Sequence, residues 1–509
     1  MNDINKTAGQ NLSGAHGIDT SAAAVLAALG FACLTAWGTC LVYAPALPLL
    51  SYLPLDQSIA CLLVSCAAGI AVLGIGARLS HTIMRYAKQL ILPGMLIAYV
   101  PLLAVGIVSW IAPGAAPAPL VFIAWLLGGV GWMIPSAQWM IVYTLMPTKW
   151  SALSIAGGGI IATPLFLLVG SAGVPAVGVA GSALLVFASG GIALFLLSRI
   201  DEQSLAAIEK CKPEHRKPFK TLKASCSVAA HGMSYGFIVI MILSLGLNAI
   251  LIAGTTGIAS ALLAFLWARR RSKSSWTAES AQRFAVPLVV AVLLLIPFCN
   301  DAGRIVCGSI SIATFAYVTL MEWTGQVVKN AEFQLFPLQR FAIGRLAQWF
   351  GFLIGALISY IMFFHASLSP VPLSLVVAVM AIVTVAAFAI YDNARDEEDT
   401  QLADIVLGDP STLVIDPPKN AAPFRERCDA LIEKFQLSSR EAEVFRYLAK
   451  GRNAEYIQQK LYISANTVKT HISHIYKKMG VNNQQWLIDL VDQHDKRRGD
   501  GQDDGTRAD

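Results

Sequence analysis

The sequence predicts an all-α protein in two parts, a membrane-spanning helix bundle followed by a small soluble helical domain. Of the 509 residues, 55% are apolar and only 14% are charged, whereas charged residues make up about a quarter of ordinary soluble domains. Up to Tyr391 the charges form short islands between apolar runs. These runs are roughly 20 residues long, the length that crosses the ~30 Å hydrocarbon core as a helix. From Asp392 onward the composition is that of a soluble protein.

Twelve membrane spans are predicted, in two groups of six. A polar tail, residues 1–20, precedes the first half of the bundle, 21–198, and the charged segment 199–224 separates it from the second half, 225–391. Several connections are only a few residues long, so neighbouring spans must be antiparallel hairpins. The predicted spans are residues 21–44, 57–77, 89–111, 117–146, 150–170, 174–198, 225–246, 248–268, 284–300, 304–326, 343–365 and 370–391.

Lysine and arginine are distributed unequally between the two sides of the predicted bundle. Connections after even-numbered spans carry many of them, whereas Arg304 is the one base expected after an odd-numbered span. Because cytoplasmic loops are enriched in these residues, the base-rich side is predicted to face the cytoplasm. An even number of spans then puts both termini there, in a multi-pass protein of the cell membrane. The bases of the even-numbered connections include Arg78, Arg85, Lys88, Lys149, Arg269, Arg283, Lys329, Arg340 and Arg345.

Twelve helices in two sixes, joined by a long charged segment, resemble the architecture of the major facilitator superfamily of transporters. The resemblance covers about 370 residues. That family has a signature connection between spans two and three, with glycine, an acidic residue, then glycine and bases. Here the stretch GIGARLSHTIMRYAK has glycines and bases and no acid. This departure counts against a working transport cycle.

The resemblance implies a central cavity lined by spans one, four, seven and ten. An ionisable group in a span is a functional candidate, since an uncompensated charge in mid-bilayer costs at least ~2.5–3.5 kcal/mol. Other interpretations stay open, because tryptophan is common at membrane interfaces and Glu322 falls near the cytoplasmic end of its predicted span. The candidate ligand-binding residues are Trp37, Gln138, Tyr235 and Glu322.

The soluble part begins with a predicted linker, residues 392–425, which has an acidic start, several prolines and no sustained hydrophobic period. Four short helices are predicted within the next segment, 426–495, and residues 496–509 are predicted to be a disordered tail. Ser438 and Glu441 form a capping box at the start of the first helix. Gly451 is predicted to end that helix.

The third of these helices begins at Ser464 and has two unlike faces. Short hydroxyl side chains allow close approach to DNA base edges, and lysine can donate to guanine. The segment 437–491 has eight Lys/Arg and four Asp/Glu, a balance that suits a polyanionic partner and equally a solvated basic surface. The apolar face consists of Val468, Ile472, Ile475 and Met479. The polar face consists of Lys469, Thr470, Ser473 and Lys477.

The order of residues in LSSREAEVFRYLAKGRNAEYIQQKLYISANTVKTHISHIYKKMGV closely resembles the LuxR-type helix-turn-helix domain of transcription regulators. The resemblance implies base contacts from Lys469, Thr470 and Ser473, and phosphate contacts from Thr467 and Lys477, with Ser464 included in the predicted DNA-binding set. It also implies that the fourth helix pairs two subunits on promoter DNA. The predicted dimerisation residues are Trp486, Leu487 and Leu490.

The leading hypothesis is a one-component transcription regulator, in which the membrane bundle senses a small molecule or a membrane state and the soluble domain binds double-stranded DNA. A solute transporter with a DNA-binding feedback domain is the alternative, and an inert membrane anchor is a third. The nine cysteines include no C-x-x-C pair, and neither a metal site nor a catalytic group nor a cofactor is predicted.

Overall fold

In the computed structural model, every element of regular structure in the described residues is a helix. The described residues are 20–43, 53–112, 116–170, 175–200, 225–245, 249–270, 278–333, 337–365, 370–407, 424–450, 454–461, 465–481, 486–487 and 490–491. The predicted N-terminal tail, nearly all of the central segment 199–224 and the C-terminal tail 496–509 therefore lie outside them. The chain divides into two compact units, Met1–Val406 and Leu407–Asp509.

The first unit contains twelve long helices among its described residues. They are α1 (Thr20–Tyr43), α2 (Leu55–Arg78), α3 (Ala87–Ile111), α4 (Ala118–Leu145), α5 (Thr148–Gly170), α6 (Pro175–Ser198), α7 (Cys226–Ser244), α8 (Ala249–Arg270), α9 (Ala278–Leu295), α10 (Asp301–Phe333), α11 (Pro337–Tyr360) and α12 (Pro370–Leu407). Eleven of these are long and apolar enough to cross a membrane, while α8 has a shorter apolar stretch, Ile252–Leu266. The predicted all-helical membrane bundle is confirmed, and the twelfth crossing stays a prediction.

The packing of the bundle repeats with an offset of six helices. In the first half α1 packs on α5, α2 on α4 and α3 on α4; in the second half α7 packs on α11, α8 on α10 and α9 on α10. The halves meet where α2 packs on α11 and α5 packs on α8. These two contacts are equivalent under the repeat, because α8 corresponds to α2 and α11 corresponds to α5. The observed contacts thus support the division into six and six that the sequence predicts.

Helices α7 and α11 approach each other closely along their backbones. A Cβ atom added at any of four glycines would lie 1.9–2.1 Å from a carbonyl oxygen of the opposite helix. Small residues of this kind let helix backbones touch in a membrane, where apolar surfaces gain little by leaving lipid. The four residues are Gly232 and Gly236 on α7 and Gly351 and Gly355 on α11.

Helix α12 corrects the predicted linker. It continues through Leu407, so residues 392–407 are helical and only the rest of the segment 392–425 could be irregular chain. The reason is local propensity, because half of this stretch is Ala, Leu, Glu, Gln or Arg and it has neither glycine nor proline. Gly408 and Pro410 then follow the end of the helix.

The first helix that lies wholly within the described part of the second unit is α13 (Phe424–Lys434), which the sequence prediction did not include. Next come α14 (Ser439–Ala449), α15 (Ala454–Leu461) and α16 (Ala465–Met479). The predicted capping box at Ser438 and Glu441 is present at the start of α14. These helices bury a common core that includes Leu431, Val444, Phe445, Leu448, Ile457, Val468, Ile475, Met479, Leu487 and Val491.

The contact between α7 and α11 gives the first testable prediction. Gly351→Ala should lower the melting temperature of the full chain in detergent, because its methyl group would lie 1.9 Å from the carbonyl oxygen of Ala229 and overpacking costs about 1–3 kcal/mol. Gly191→Ala is the matched control, since nothing lies within 4 Å of a Cβ at that position. Size-exclusion chromatography of heated samples measures both. Equal melting temperatures for the two variants would contradict the assigned contact.

Candidate DNA-binding surface and central cavity

Helix α16 has one buried side and one exposed side. Val468, Ile475 and Met479 are buried, and Ile472 is partly buried beside them. The predicted apolar face is therefore confirmed. The exposed residues of α16 are Thr467, Thr470, Ser473, His474, Lys477 and Lys478.

The predicted DNA-binding residues are partly brought together by this arrangement. Thr467, Thr470, Ser473 and Lys477 follow one another at intervals of three and four residues, so they form one stripe along α16. Lys469 belongs to the same helix, with its side chain outside the described residues, and Ser464 lies outside them altogether.

A buried carboxylate fixes the C-terminal end of α16 against the start of α14. The Nζ of Lys478 donates to Oε2 of Glu441 at 2.7 Å and to the carbonyl oxygen of Gln436 at 3.2 Å. The backbone N–H of Ser438 donates to the same Oε2 at 2.8 Å. The Lys478 ammonium, with the two Ser438 hydrogen bonds, lowers the pKa of Glu441 from 4.5 to about 2. Lys478 is thus held against the start of α14 although it is 40% exposed, whereas the exposed Lys477 has no ion pair among the described residues.

Arginine links α14 to α15. The guanidinium of Arg440 donates to the carbonyl oxygen of Leu461 at 3.0 Å, at the last residue of α15, and also to Glu443. Because both α14 and α15 pack on α16, these polar contacts fix the angle at which α16 is presented. This is the arrangement of a helix-turn-helix, with α15 as the first helix and α16 as the second, the position that reads the major groove in such motifs.

The membrane unit has a central cavity of about 140 Å³. Its described wall comes from α1, α4, α7, α10 and α11, so the predicted set of spans one, four, seven and ten is present, with α11 in addition. The wall is largely aromatic and aliphatic, with a few hydroxyl groups and one cation. The lining residues are Phe31, Leu34, Thr35, Gly38, Thr39, Val42, Trp132, Met133, Ser136, Tyr235, Phe315, Thr319, Leu320, Trp323, Arg345, Gln348 and Trp349.

Among the predicted ligand-binding residues, Tyr235 is in this wall and the other three are not. Trp37 is buried at 2% exposure elsewhere in the bundle core. Gln138 turns away to donate to the carbonyl oxygen of Ala87 at 3.1 Å, at the start of α3. Glu322 accepts a hydrogen bond of 2.7 Å from Gln282 of α9. The helical register separates these residues from the cavity, since neighbours in sequence point about 100° apart around a helix.

Arg345 was assigned to a cytoplasmic connection by the sequence pattern, and that assignment is wrong. Helix α11 begins at Pro337, not near residue 343, so Arg345 lies two turns inside it and reaches the cavity. Proline is favoured in the first turn of a helix, and Pro337 was the signal that could have placed the start correctly. Helix α10 likewise extends to Phe333, beyond the predicted end at residue 326.

Residues 436–491 match the family model described as "Bacterial regulatory proteins, luxR family". This segment is a LuxR-type helix-turn-helix domain. Similar curated proteins are the fimbriae Z protein of Salmonella typhimurium, the probable transcriptional regulatory protein NarL of Mycobacterium tuberculosis and the oxygen regulatory protein NreC of Staphylococcus aureus. The respective identities are 37% over 59 residues, 42% over 48 and 38% over 55.

These matches cover 12%, 9% and 11% of this chain and 28%, 22% and 25% of the three relatives. The chain therefore spans about a quarter of the length of the relatives it matches. They support the LuxR-type domain.

The crystal structure of the human organic anion transporter MFSD10 (TETRAN) resembles the chain with a TM-score of 0.52 and 11% identity, over 72% of this chain and 99% of that one. A bacterial homologue of the iron transporter ferroportin, in an outward-facing state, has a TM-score of 0.49 and 14% identity, over 74% and 100%. The first likeness shows the fold, so the predicted resemblance of the membrane unit to major facilitator transporters is confirmed at that level.

The predicted pairing surface of the LuxR-type domain needs a correction. Leu487 is fully buried in the domain's own core, so it cannot also face a second subunit. Trp486 is 58% exposed and Leu490 is partly buried. Pairing through Trp486 and Leu490 stays a prediction.

The depressed pKa of Glu441 gives a pH prediction for the fragment 424–509, which has its own hydrophobic core. A carboxylate whose folded-state pKa is lowered stabilises the fold above its ordinary pKa, and this stabilisation is lost as the pH falls towards the folded value. Wild type should therefore exceed Glu441→Gln in free energy of unfolding at pH 7, by a margin that shrinks below about pH 4.5 and vanishes near pH 2.

Urea unfolding at a series of pH values measures this margin. Glu443→Gln is the control, because the ion pair of Glu443 with Arg440 is more than 40% exposed on both sides and such pairs contribute about 0–1 kcal/mol. A margin for Glu441→Gln that stays constant from pH 7 to pH 2 would refute the assigned ion pair.

Proposed function

We propose that this chain is a membrane-bound one-component transcription regulator. Its membrane unit senses a small molecule or a membrane state, and its LuxR-type domain binds promoter DNA in response. The observation that carries the proposal is the presence, in one chain, of a LuxR-type domain and a transporter-like bundle with a central cavity.

Both termini belong in the cytoplasm under this proposal, because DNA is available only there. Bases at the helix ends support the orientation. Arg78 ends α2, Lys149 lies in the first turn of α5, Arg199 follows α6 and Arg270 ends α8. All of these ends lie on the side that connects an even-numbered helix to the next one, which is the side that the positive-inside rule assigns to the cytoplasm.

The switch requires two states of the bundle that a ligand can tell apart. A shift from 1:99 to 99:1 between two states needs a difference in binding free energy of about 5.5 kcal/mol. A scaffold of two six-helix halves supplies such states, since the halves can rock about a cavity between them. Helix α12, which belongs to the second half, continues to Leu407, where the second unit begins. Rocking would therefore move the point from which the LuxR-type domain is tethered.

A homodimer is proposed for the DNA-bound state. Pairing through Trp486 and Leu490 would set two copies of α16 on an inverted repeat, with half-sites about one helical turn apart. Since the exposed apolar strip is short, the pair should form on DNA and be weak without it.

Replacement of the bundle tests the sensing role. A chain in which residues 1–391 are exchanged for an unrelated single-span anchor should bind the same promoters and lose the response to inducing conditions. Transcript profiles of a deletion strain that carries either chain measure this. An unchanged response in the chain with the exchanged anchor would refute the sensing proposal and favour an inert anchor. Solute uptake into proteoliposomes by the full chain would favour the alternative, a transporter with a DNA-binding feedback domain.

Two lysines of α16 are expected to contribute differently to DNA binding. Lys469→Ala should weaken a specific site by about 1–3 kcal/mol and relax base preference. Lys477→Ala should weaken all sequences alike and reduce the slope of log affinity against log salt by about one, because a phosphate contact releases one counterion.

Affinities for a specific site and for random DNA, measured by fluorescence anisotropy at several salt concentrations, separate these effects. Lys434→Ala is the matched control, since it removes the same charge from α13 and should change neither quantity. The assigned base contact is wrong if Lys469→Ala lowers the affinity for random DNA as much as the affinity for the specific site.

A further inference from the structure

The described wall of the central cavity contains a single charged residue. Arg345 of α11 is the one charged residue among the described residues that line it. The rest of the wall offers aromatic rings, aliphatic side chains and the neutral polar groups of Gln348, Thr319 and Tyr235. An arginine inside a membrane bundle is costly unless something compensates its charge.

The protein compensates this charge only in part. The guanidinium lies over the rings of Trp323 and Phe341, with its Cζ 4.8 Å and 5.6 Å from their centroids. It donates one hydrogen bond, from Nη1 to the side-chain oxygen of Gln348. A guanidinium has five N–H donors, so most of them keep no partner among the described residues.

Glu322 of α10 makes a hydrogen bond to another helix. Glu322 interacts with Arg345 through space, yet no carboxylate in the described part of the chain lies within 4 Å of the guanidinium. The carboxylate of Glu322 instead accepts the 2.7 Å hydrogen bond from Gln282. An anion in the cavity would therefore meet a cation that has no ion-pair partner among the described residues.

The polar neighbours hold the guanidinium in place. Gln348 accepts from Arg345 and in turn donates from Nε2 to Oγ1 of Thr319 at 2.8 Å, which links α11 to α10. The stacked indole of Trp323 restrains the other side of the guanidinium. The planar fork of donors is thus pre-organised, and such a fork matches the two oxygens of a carboxylate.

The remaining wall suits an apolar body. Trp132 and Trp349 meet edge to face at 4.9 Å between centroids, and Tyr235 stacks on Phe315 at 3.8 Å. The indole N–H of Trp132 is buried and finds no hydrogen-bond partner among the described residues. Ring faces and methylene groups at these positions exclude water and favour a flat or branched hydrocarbon group.

We infer that the central cavity binds a small organic carboxylate with an aromatic or aliphatic body, and that the Arg345 guanidinium holds its carboxylate group. This inference rests on the proposed function, since it names the chemical class of the small molecule that the bundle senses. The guanidinium favours a negatively charged group on the ligand, and the aromatic wall favours an apolar remainder.

Binding to the purified full chain in detergent tests the inference without any transcription readout. Isothermal titration would compare benzoate with two ligands of nearly the same shape, neutral benzamide and cationic benzylamine, at pH 7.5. Benzoate should bind at least ten-fold more tightly than benzamide, and benzylamine should bind most weakly. Arg345→Gln should abolish the preference for benzoate over benzamide.

Two further variants keep the test decisive. Arg304→Gln is the matched control, because Arg304 is an arginine of α10 that pairs with Asp301 and does not line the cavity. It should leave all three affinities unchanged. Should Arg345→Gln fail to fold, Arg345→Lys keeps the charge and loses the fork, so it should weaken benzoate by a smaller factor and leave benzamide as it was.

The inference is overturned if benzoate binds no more tightly than benzamide to a wild-type protein that melts cooperatively, or if Arg345→Gln and Arg304→Gln behave alike. The proposed function fails separately. Benzoate selectivity through Arg345, together with transcription that ignores the bundle, would keep the site and refute the sensor. A bundle-dependent response in a protein without carboxylate selectivity would keep the sensor and refute this ligand class.

Discussion

Backbone contact between α7 and α11 sets the positions of the residues that these two helices contribute to the cavity wall. Tyr235 lies between the two contact glycines of α7, and Gln348 supplies one of the carbonyl oxygens that the opposite helix touches. Any change in the separation of these helices would therefore move the hydroxyl of Tyr235 and the amide that orients Arg345. In lipid such a contact is maintained by dispersion and by weak Cα–H···O interactions, each of which needs the backbones to touch. Residues larger than glycine at these positions would open the wall, and the pre-organised guanidinium would lose its support.

The soluble unit has a comparable constraint in a different form. Water surrounds this domain, so its helices are held by a conventional apolar core, and the orientation of α16 depends in addition on one carboxylate. Glu441 satisfies the start of α14 through Ser438 and the end of α16 through Lys478. One side chain thus determines both a helix boundary and the presentation of the exposed stripe on α16. The pairing also distinguishes two adjacent lysines of α16, since both are exposed but Lys478 is held in an ion pair with Glu441, whereas Lys477 has none among the described residues.

Much of this could be predicted from the sequence because the physical signals were strong and local. Apolar runs as long as a bilayer is thick identified the spans, and the capping box at Ser438 and the spacing from Val468 to Met479 placed the helices of the LuxR-type domain. The wall of the cavity could not be predicted at the same level. Whether Trp37 and Tyr235 face the cavity depends on how each helix is rotated about its axis. An apolar run of nearly uniform composition does not determine this rotation. Arg345 was missed because a helix start was placed six residues too late. Leu487 was misassigned because the packing of the other helices decides which side of so short an apolar segment is buried.

The helical extension of α12 has an electrostatic consequence. Residues 392–407 rise about 24 Å at 1.5 Å per residue, and they start where an apolar stretch long enough to cross the bilayer ends at Tyr391. The cytoplasmic leaflet carries anionic headgroups whose potential repels DNA phosphates and decays within a Debye length of about 8 Å at physiological ionic strength. The acidic residues in this extension, among them Asp396, Glu397 and Glu398, would also be repelled by that leaflet. Under the proposed orientation, the negative charge of this helical extension would disfavour its lying flat against the anionic leaflet, an effect that a neutral segment of equal length would not have.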